Sequence, residues 1–130
     1  MKYNLITVIF TAILWVGFSA ASQATESWMT PIKRIAEIIH HLNHFPSETE
    51  KRDLMMIMEN EGMADSVRLI ARALRNVNHA VNDNDKPGLK AIQDDATAVQ
   101  SIRELADILY RFNHQATAQD KQRLEKMLNT

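Results

Sequence analysis

Asn43-His44, Asn78-His79 and Asn113-His114 are three copies of one dipeptide, and they decide how the chain is interpreted. They recur at a period of 35 residues, with no insertion or deletion between copies. Matching residues surround each copy: Ile35-Ala36, Ile70-Ala71 and Leu105-Ala106 upstream, and Lys51, Lys86 and Lys121 downstream. Self-similarity at one fixed period is typical of a chain built from repeated supersecondary units. The sequence therefore predicts three tandem copies of one structural unit.

The spacing of apolar residues predicts that each unit begins with a helix. In the first copy they fall at steps of three and four, at Ile32, Ile35, Ala36, Ile39 and Leu42, which places them on one helical face. An alanine at the same place in every copy predicts that these helices approach one another closely. A proline is well suited to the first turn of a helix, so Thr30-Pro31 predicts the start of the first one.

A second helix in each unit is predicted by its capping residues. Ser47, Asn82 and Thr117 are equivalent and are good N-caps, and an acid follows each three residues later, at Glu50, Asp85 and Asp120. This is the capping-box arrangement or its aspartate variant. In the second copy Pro87-Gly88 follows closely, so that helix is expected to start late.

The predicted fold is all-α, with three tandem 35-residue helix-turn-helix repeats and six helices. The repeats cover about residues 30–64, 65–99 and 100–130. Two packings fit this pattern, a short α-solenoid like that of tetratricopeptide repeats or a compact helical bundle. The period is close to that of tetratricopeptide repeats, but their pattern of Trp, Leu-Gly, Tyr, Ala, Phe and Pro is absent, so only a similarity of shape is expected.

The amino terminus predicts export. Lys2 precedes an apolar run from Leu5 to Phe18, and small residues follow up to Ala24, as in a secretory signal peptide. We expect cleavage after residue 24, which leaves residues 25–130 as one periplasmic or secreted domain with no membrane contact. The chain has no cysteine, which excludes disulfides and thiolate chemistry. Its formal charge of −1 gives no electrostatic basis for binding nucleic acid.

The Asn-His pairs allow two interpretations. In the favoured one they are structural: each Asn closes a helix in the left-handed conformation and each His bonds the last carbonyls. The alternative is a zinc or copper site formed by histidines and nearby methionines. Its histidines would be His40, His44, His79 and His114. Packed helices lie 8–10 Å apart, so only a closed three-fold bundle would bring the equivalent histidines to one ion. His40 and His44, four residues apart, would form a local pair if they shared a helix face.

Positions that differ among the repeats predict a partner-binding surface. Phe45, Met55, Met56 and Met58 are apolar, whereas the equivalents of Met55 and Met56 are Lys90 and Ala91 in the second copy. Methionine is common at adaptable binding surfaces. No phosphate-binding loop, nucleophile elbow or zinc-protease motif is present. The predicted function is therefore a non-catalytic exported module, without a cofactor, that binds a protein or peptide partner or a copy of itself. The alternative is a metal-binding protein.

Overall fold

The computed structural model describes the backbone of residues 20–130 and the side chains from residue 30 onward. The described part of the chain contains six α-helices and no β-strand. They are α1 (Ala20–His41), α2 (Glu48–Glu59), α3 (Asp65–Arg75), α4 (Lys86–Asp94), α5 (Gln100–Tyr110) and α6 (Ala118–Leu128). The predicted all-α fold is confirmed, with two helices in each repeat.

The first helices of the three repeats, α1, α3 and α5, pack against one another at the centre of the molecule. Their equivalent alanines, Ala36, Ala71 and Ala106, are completely buried. Because a methyl group fills little space, it allows neighbouring helices to lie close together. The isoleucine, leucine and valine side chains of the same faces complete a single apolar core.

The second helix of each repeat covers the first helix of the next repeat. Helix α2 packs on α3, α4 packs on α5, and α6 packs on α1. The last of these contacts joins the end of the chain to its beginning, so the repeats form a closed ring. Leu54, Leu89 and Leu124 occupy the same place in the three outer helices and are all fully buried. The molecule is therefore a closed bundle with approximate three-fold symmetry, and not an open solenoid.

The predicted helix starts are confirmed in part. The Ser47 hydroxyl accepts from the Glu50 N–H, and the Glu50 carboxylate accepts from the Ser47 N–H, which completes a capping box at α2. The Thr117 hydroxyl accepts from the Asp120 N–H at 3.1 Å and caps α6.

The second repeat departs from this pattern because Pro87 and Gly88 delay the start of α4 to Lys86. The late start is confirmed, but the prediction of Asn82 as the cap is wrong. Its side-chain oxygen instead accepts from the backbone N–H of Asn84 and forms a local turn.

The beginning of α1 also differs from expectation. The helix starts at Ala20 and passes through Pro31, so the predicted start at Thr30-Pro31 is wrong. A proline inside a helix removes one backbone donor, and the helix tolerates that loss here. Within the described residues, none of the helices has the length and apolar character that a membrane span requires. The predicted signal peptide falls mostly on residues 1–19, outside the described residues, and stays a prediction.

Candidate metal centre

A left-handed turn follows the first helix of every repeat, and its central residue is the histidine. His44, His79 and His114 have φ angles of 71°, 65° and 64°, and they are the only residues other than glycine with positive φ in the described chain. The prediction that the asparagines take this conformation is therefore wrong. The N–H of Phe45 donates to the carbonyl of Asn43 at 2.9 Å, two residues back, which makes a γ-turn around His44.

The three turns are joined by a closed ring of backbone hydrogen bonds. The N–H of His44 donates to the carbonyl of His114 at 2.7 Å, that of His79 to His44 at 2.6 Å, and that of His114 to His79 at 2.5 Å. The backbone N–H of each histidine therefore bonds to the neighbouring repeat and not to its own helix. Each donor and each carbonyl of the three histidines is satisfied inside this ring, so the imidazoles are the groups left to bind a ligand.

Apolar residues on both sides of each turn hold it against the core. Leu42, Val77 and Phe112 precede the Asn-His pairs and are nearly fully buried. Pro46, Val81 and Ala116 follow each histidine by two residues and are buried as well. None of the six was predicted as a site residue, although Leu42 was predicted on the apolar face of its helix and the apolar residue two places after each histidine is a visible signal. They position the histidines by anchoring both ends of each turn.

Ion pairs and hydrogen bonds close the base of the turns in the second and third repeats. Arg111 contacts Asp107 at 2.9 Å and the buried Asp120 at 3.0 Å, and so joins both helices to the turn. The hydrogen bonds that Arg111 donates to Asp107, with a smaller contribution from Arg123, lower the pKa of Asp107 below its ordinary value. In the second repeat the Asn76 amide donates to the buried Asp85 at 3.3 Å. The first repeat uses the Ser47–Glu50 capping box in the same place.

The three imidazoles meet at one end of the bundle, near the approximate three-fold axis. The distance between ring centroids is 4.9 Å for His44 and His79, 5.2 Å for His44 and His114, and 5.0 Å for His79 and His114. Each ring offers one nitrogen, and these nitrogens lie within 4.8 Å of one another. Only a closed bundle can produce this arrangement, because it brings residues from three distant parts of the chain to one axis.

The side chain of Asn113 orients one of the three rings. Nδ1 of His114 lies 2.5 Å from the Asn113 side-chain oxygen. Since that oxygen can only accept, Nδ1 carries the proton and Nε2 carries the lone pair. In metal-binding histidines, the ring nitrogen that does not bind the metal usually donates a hydrogen bond to an oxygen acceptor of this kind. Asn43 and Asn78 precede the other two histidines and supply the same group at the same distance along the chain.

The other residues predicted as metal ligands, His40 and the methionines, lie away from the three clustered histidines. His40 lies inside α1, whereas His44 lies in the turn beyond the end of the helix, so the two do not share a helix face. Nε2 of His40 instead contacts Glu125 on α6 at 3.1 Å. Met55, Met56 and Met58 lie about two to three turns into α2, which at 1.5 Å per residue is about 10–15 Å along the axis from its first residue, Glu48. The three histidines lie in turns outside this helix.

The apolar residues of the first repeat are divided between two places. Phe45 is 58% exposed and lies beside His44. Met55 and Met56 are exposed on α2 at 39% and 64%, whereas Met58 packs against the core. Met56 lines a shallow groove that also includes Pro31, Ile57 and Met63.

The chain matches no protein-family model, no curated protein and no solved structure.

Proposed function

We propose that this protein binds a transition-metal ion, zinc or copper, through His44, His79 and His114. The observation that carries the proposal is the convergence of three sequence-equivalent imidazoles, with their ligand nitrogens within 4.8 Å of one another. Three nitrogens bound to one tetrahedral zinc ion at 2.0–2.1 Å lie roughly 3.4 Å apart. Small rotations of the side chains toward the axis therefore convert the observed cluster into a coordination site.

The backbone of the turn supports this role. A left-handed conformation at a residue with a Cβ costs about 1–2 kcal/mol, and glycine or asparagine adopts it more easily. All three repeats nevertheless carry histidine at this place. A turn that served only to join helices would gain nothing from an imidazole. Backbone strain of this kind is concentrated at functional sites, and here it coincides with the ligand cluster.

The chemistry of the ligands limits the choice of ion. Imidazole nitrogen is a borderline ligand that suits Zn²⁺ and Cu²⁺, whereas Cu⁺ prefers thiolate and thioether sulfur. The chain has no cysteine, and the methionines of α2 are too far from the three histidines to join them. The proposal is therefore for a divalent ion bound by nitrogen, without the methionines that the sequence suggested as additional ligands.

Isothermal titration calorimetry with Zn²⁺ and Cu²⁺ on the purified, metal-free protein tests this proposal. We expect one ion per chain, and we expect His79→Ala or His114→Ala to weaken binding by at least about 100-fold, since losing a supporting residue alone costs 10–100-fold. His41→Ala is the matched control, because His41 is exposed and contacts only His40 among the imidazoles. Binding that survives His79→Ala and is lost in His41→Ala would contradict the proposal.

Export determines where the ion would be acquired. We propose that residues 1–24 direct the chain out of the cytoplasm and are removed, so that residues 25–130 function in the periplasm or outside the cell. The charged, apolar and small-residue regions of this segment support the proposal. Mass spectrometry of the protein recovered from the periplasm tests it, and the mass of the full chain in the cytoplasmic fraction would contradict it.

A second candidate function is the binding of a protein or peptide partner, or of a second copy of the chain, at the groove beside Met56. Its support is the exposure of Met56, which is 64% despite an apolar side chain. Replacing Met55 with Lys and Met56 with Ala, as in the second repeat, would leave folding intact and abolish association. Loss of folding in this variant, or unchanged association measured by sedimentation, would argue against the candidate.

A further inference from the structure

We infer that the three-histidine cluster is an open metal centre, in which a small ligand from solution, water or a monovalent anion, completes the coordination of the ion. This inference rests on the proposed function and describes how the bound ion would behave. It follows from the number of ligands that the protein supplies, from the exposure of the site and from its symmetry.

The number of protein ligands is too small to saturate a zinc ion. Zinc sites are almost always four-coordinate. Among the described residues, the group of histidine, cysteine and acidic side chains that meets at this point contains His44, His79 and His114 and no fourth member. The backbone carbonyls of the same residues are engaged in the hydrogen-bonded ring. An ion held by these three imidazoles would therefore keep at least one position that no histidine, cysteine or acidic side chain of the described residues fills.

The position that remains faces solvent. His79 and His114 are exposed and His44 is half-buried, so the side of the imidazoles away from the backbone ring is open. Because the three ligands are related by the approximate three-fold axis, they approach the ion from one side and leave the opposite side free. Structural zinc sites are closed by four protein ligands, whereas sites with three histidines and an open position exchange external ligands.

The residues that follow the three histidines along the chain supply no positive charge that would attract an anion. Phe45 follows His44 and is 58% exposed, whereas the residues that follow His79 and His114 are Ala80 and Gln115. Phe45 is aromatic, Ala80 is small and Gln115 is neutral, so none of the three is cationic. The charge of the ion is left as the main attraction for a ligand, which suits a small anion that coordinates directly.

Cobalt substitution followed by anion titration tests the inference. Co²⁺ takes similar nitrogen sites, and its visible absorption reports the number and type of its ligands. We expect the full protein to bind one Co²⁺ ion and to show a saturable change in its visible bands on addition of azide. His41→Ala should give the same response, and His79→Ala should show weaker Co²⁺ binding by about 100-fold or more.

Different results would overturn the open centre and the metal-binding function. Co²⁺ that binds with visible bands unaffected by azide and thiocyanate would overturn the open centre and leave the metal-binding function intact. A protein that binds none of Co²⁺, Zn²⁺ and Cu²⁺ would overturn both.

Discussion

The N–H of His44 donates to the carbonyl oxygen of His114 at 2.7 Å, and this bond joins the first repeat to the last. The equivalent bonds link His79 to His44 and His114 to His79, so the ring has no free end. The packing of α6 on α1 closes the bundle in the same sense. Closure of the fold and convergence of the three imidazoles are therefore two consequences of one arrangement.

Because the ring is closed, we expect α6 to contribute as much to the stability of the fold as α2 and α4. Leu54, Leu89 and Leu124 are equally buried, each against the first helix of the following repeat. We expect each Leu→Ala substitution to cost about 2–5 kcal/mol in the free energy of unfolding, measured by urea denaturation. In an open solenoid the terminal helix would lack one neighbour. A cost below about 1 kcal/mol for Leu124→Ala alone, with large costs at the other two sites, would contradict closure.

Two substitutions at His79 distinguish the backbone strain of the turn from the metal-binding role of the imidazole. His79→Gly and His79→Ala both remove the imidazole, and both should weaken metal binding by at least about 100-fold. At a φ of 65°, however, glycine is relaxed and alanine is strained. We therefore expect the glycine variant to be more stable than the alanine variant by about 1 kcal/mol, measured by urea denaturation without metal. The reverse order of stability would be incompatible with the left-handed turn.

The central alanines are expected to control the separation of the histidines. Ala71 is completely buried on α3, so Ala71→Leu should cost about 1–3 kcal/mol or more through overpacking. By holding the first helices apart, it should also weaken zinc binding. Ala91→Leu is the matched control, because Ala91 is exposed on α4 and its substitution should change stability by less than about 0.5 kcal/mol. Equal effects of the two substitutions on zinc affinity would refute this explanation.

The ion pairs of the third repeat predict a specific loss of stability in acid. Hydrogen bonds from Arg111 lower the pKa of Asp107 from its ordinary value of 3.8 in the folded state. The contribution of Asp107 is therefore fully present above that value and is lost as the pH falls toward the lower pKa of the folded state. Asp107→Asn should flatten the dependence of the free energy of unfolding on pH below about pH 5. Glu61→Gln, at an exposed position, should leave this pH dependence unchanged. The same pH dependence in the unmodified protein and in both variants would contradict the prediction.

The elements that depend on local patterns were predictable from the sequence. The apolar steps around Ile35 and Ile39 determine a helical face wherever the helix packs, and the capping box at Ser47 is confirmed because it requires only residues three positions apart. The delayed start of α4 followed from the proline and glycine at its beginning.

Closure of the ring was not predictable, because a solenoid and a ring share the same pattern within each repeat. They differ in the angle between repeats, which is set by the fit of many side chains. The conformation of the turn was mispredicted for a related reason. Asn43 favours the left-handed conformation by itself, but the hydrogen bond between His44 and His114 requires it one residue later. A metal centre requires a closed ring of repeats. Because the sequence does not show that the ring closes, it favours the structural interpretation of the histidines.

The most direct test of the account is X-ray absorption spectroscopy at the zinc edge of the protein loaded with one equivalent of Zn²⁺. We expect three nitrogen ligands at about 2.0–2.1 Å, with the multiple scattering of three imidazoles and at least one further light ligand. His79→Ala should lose one imidazole contribution or fail to retain the ion. A spectrum with one imidazole or none in the unmodified protein would show that the three histidines do not form a metal centre.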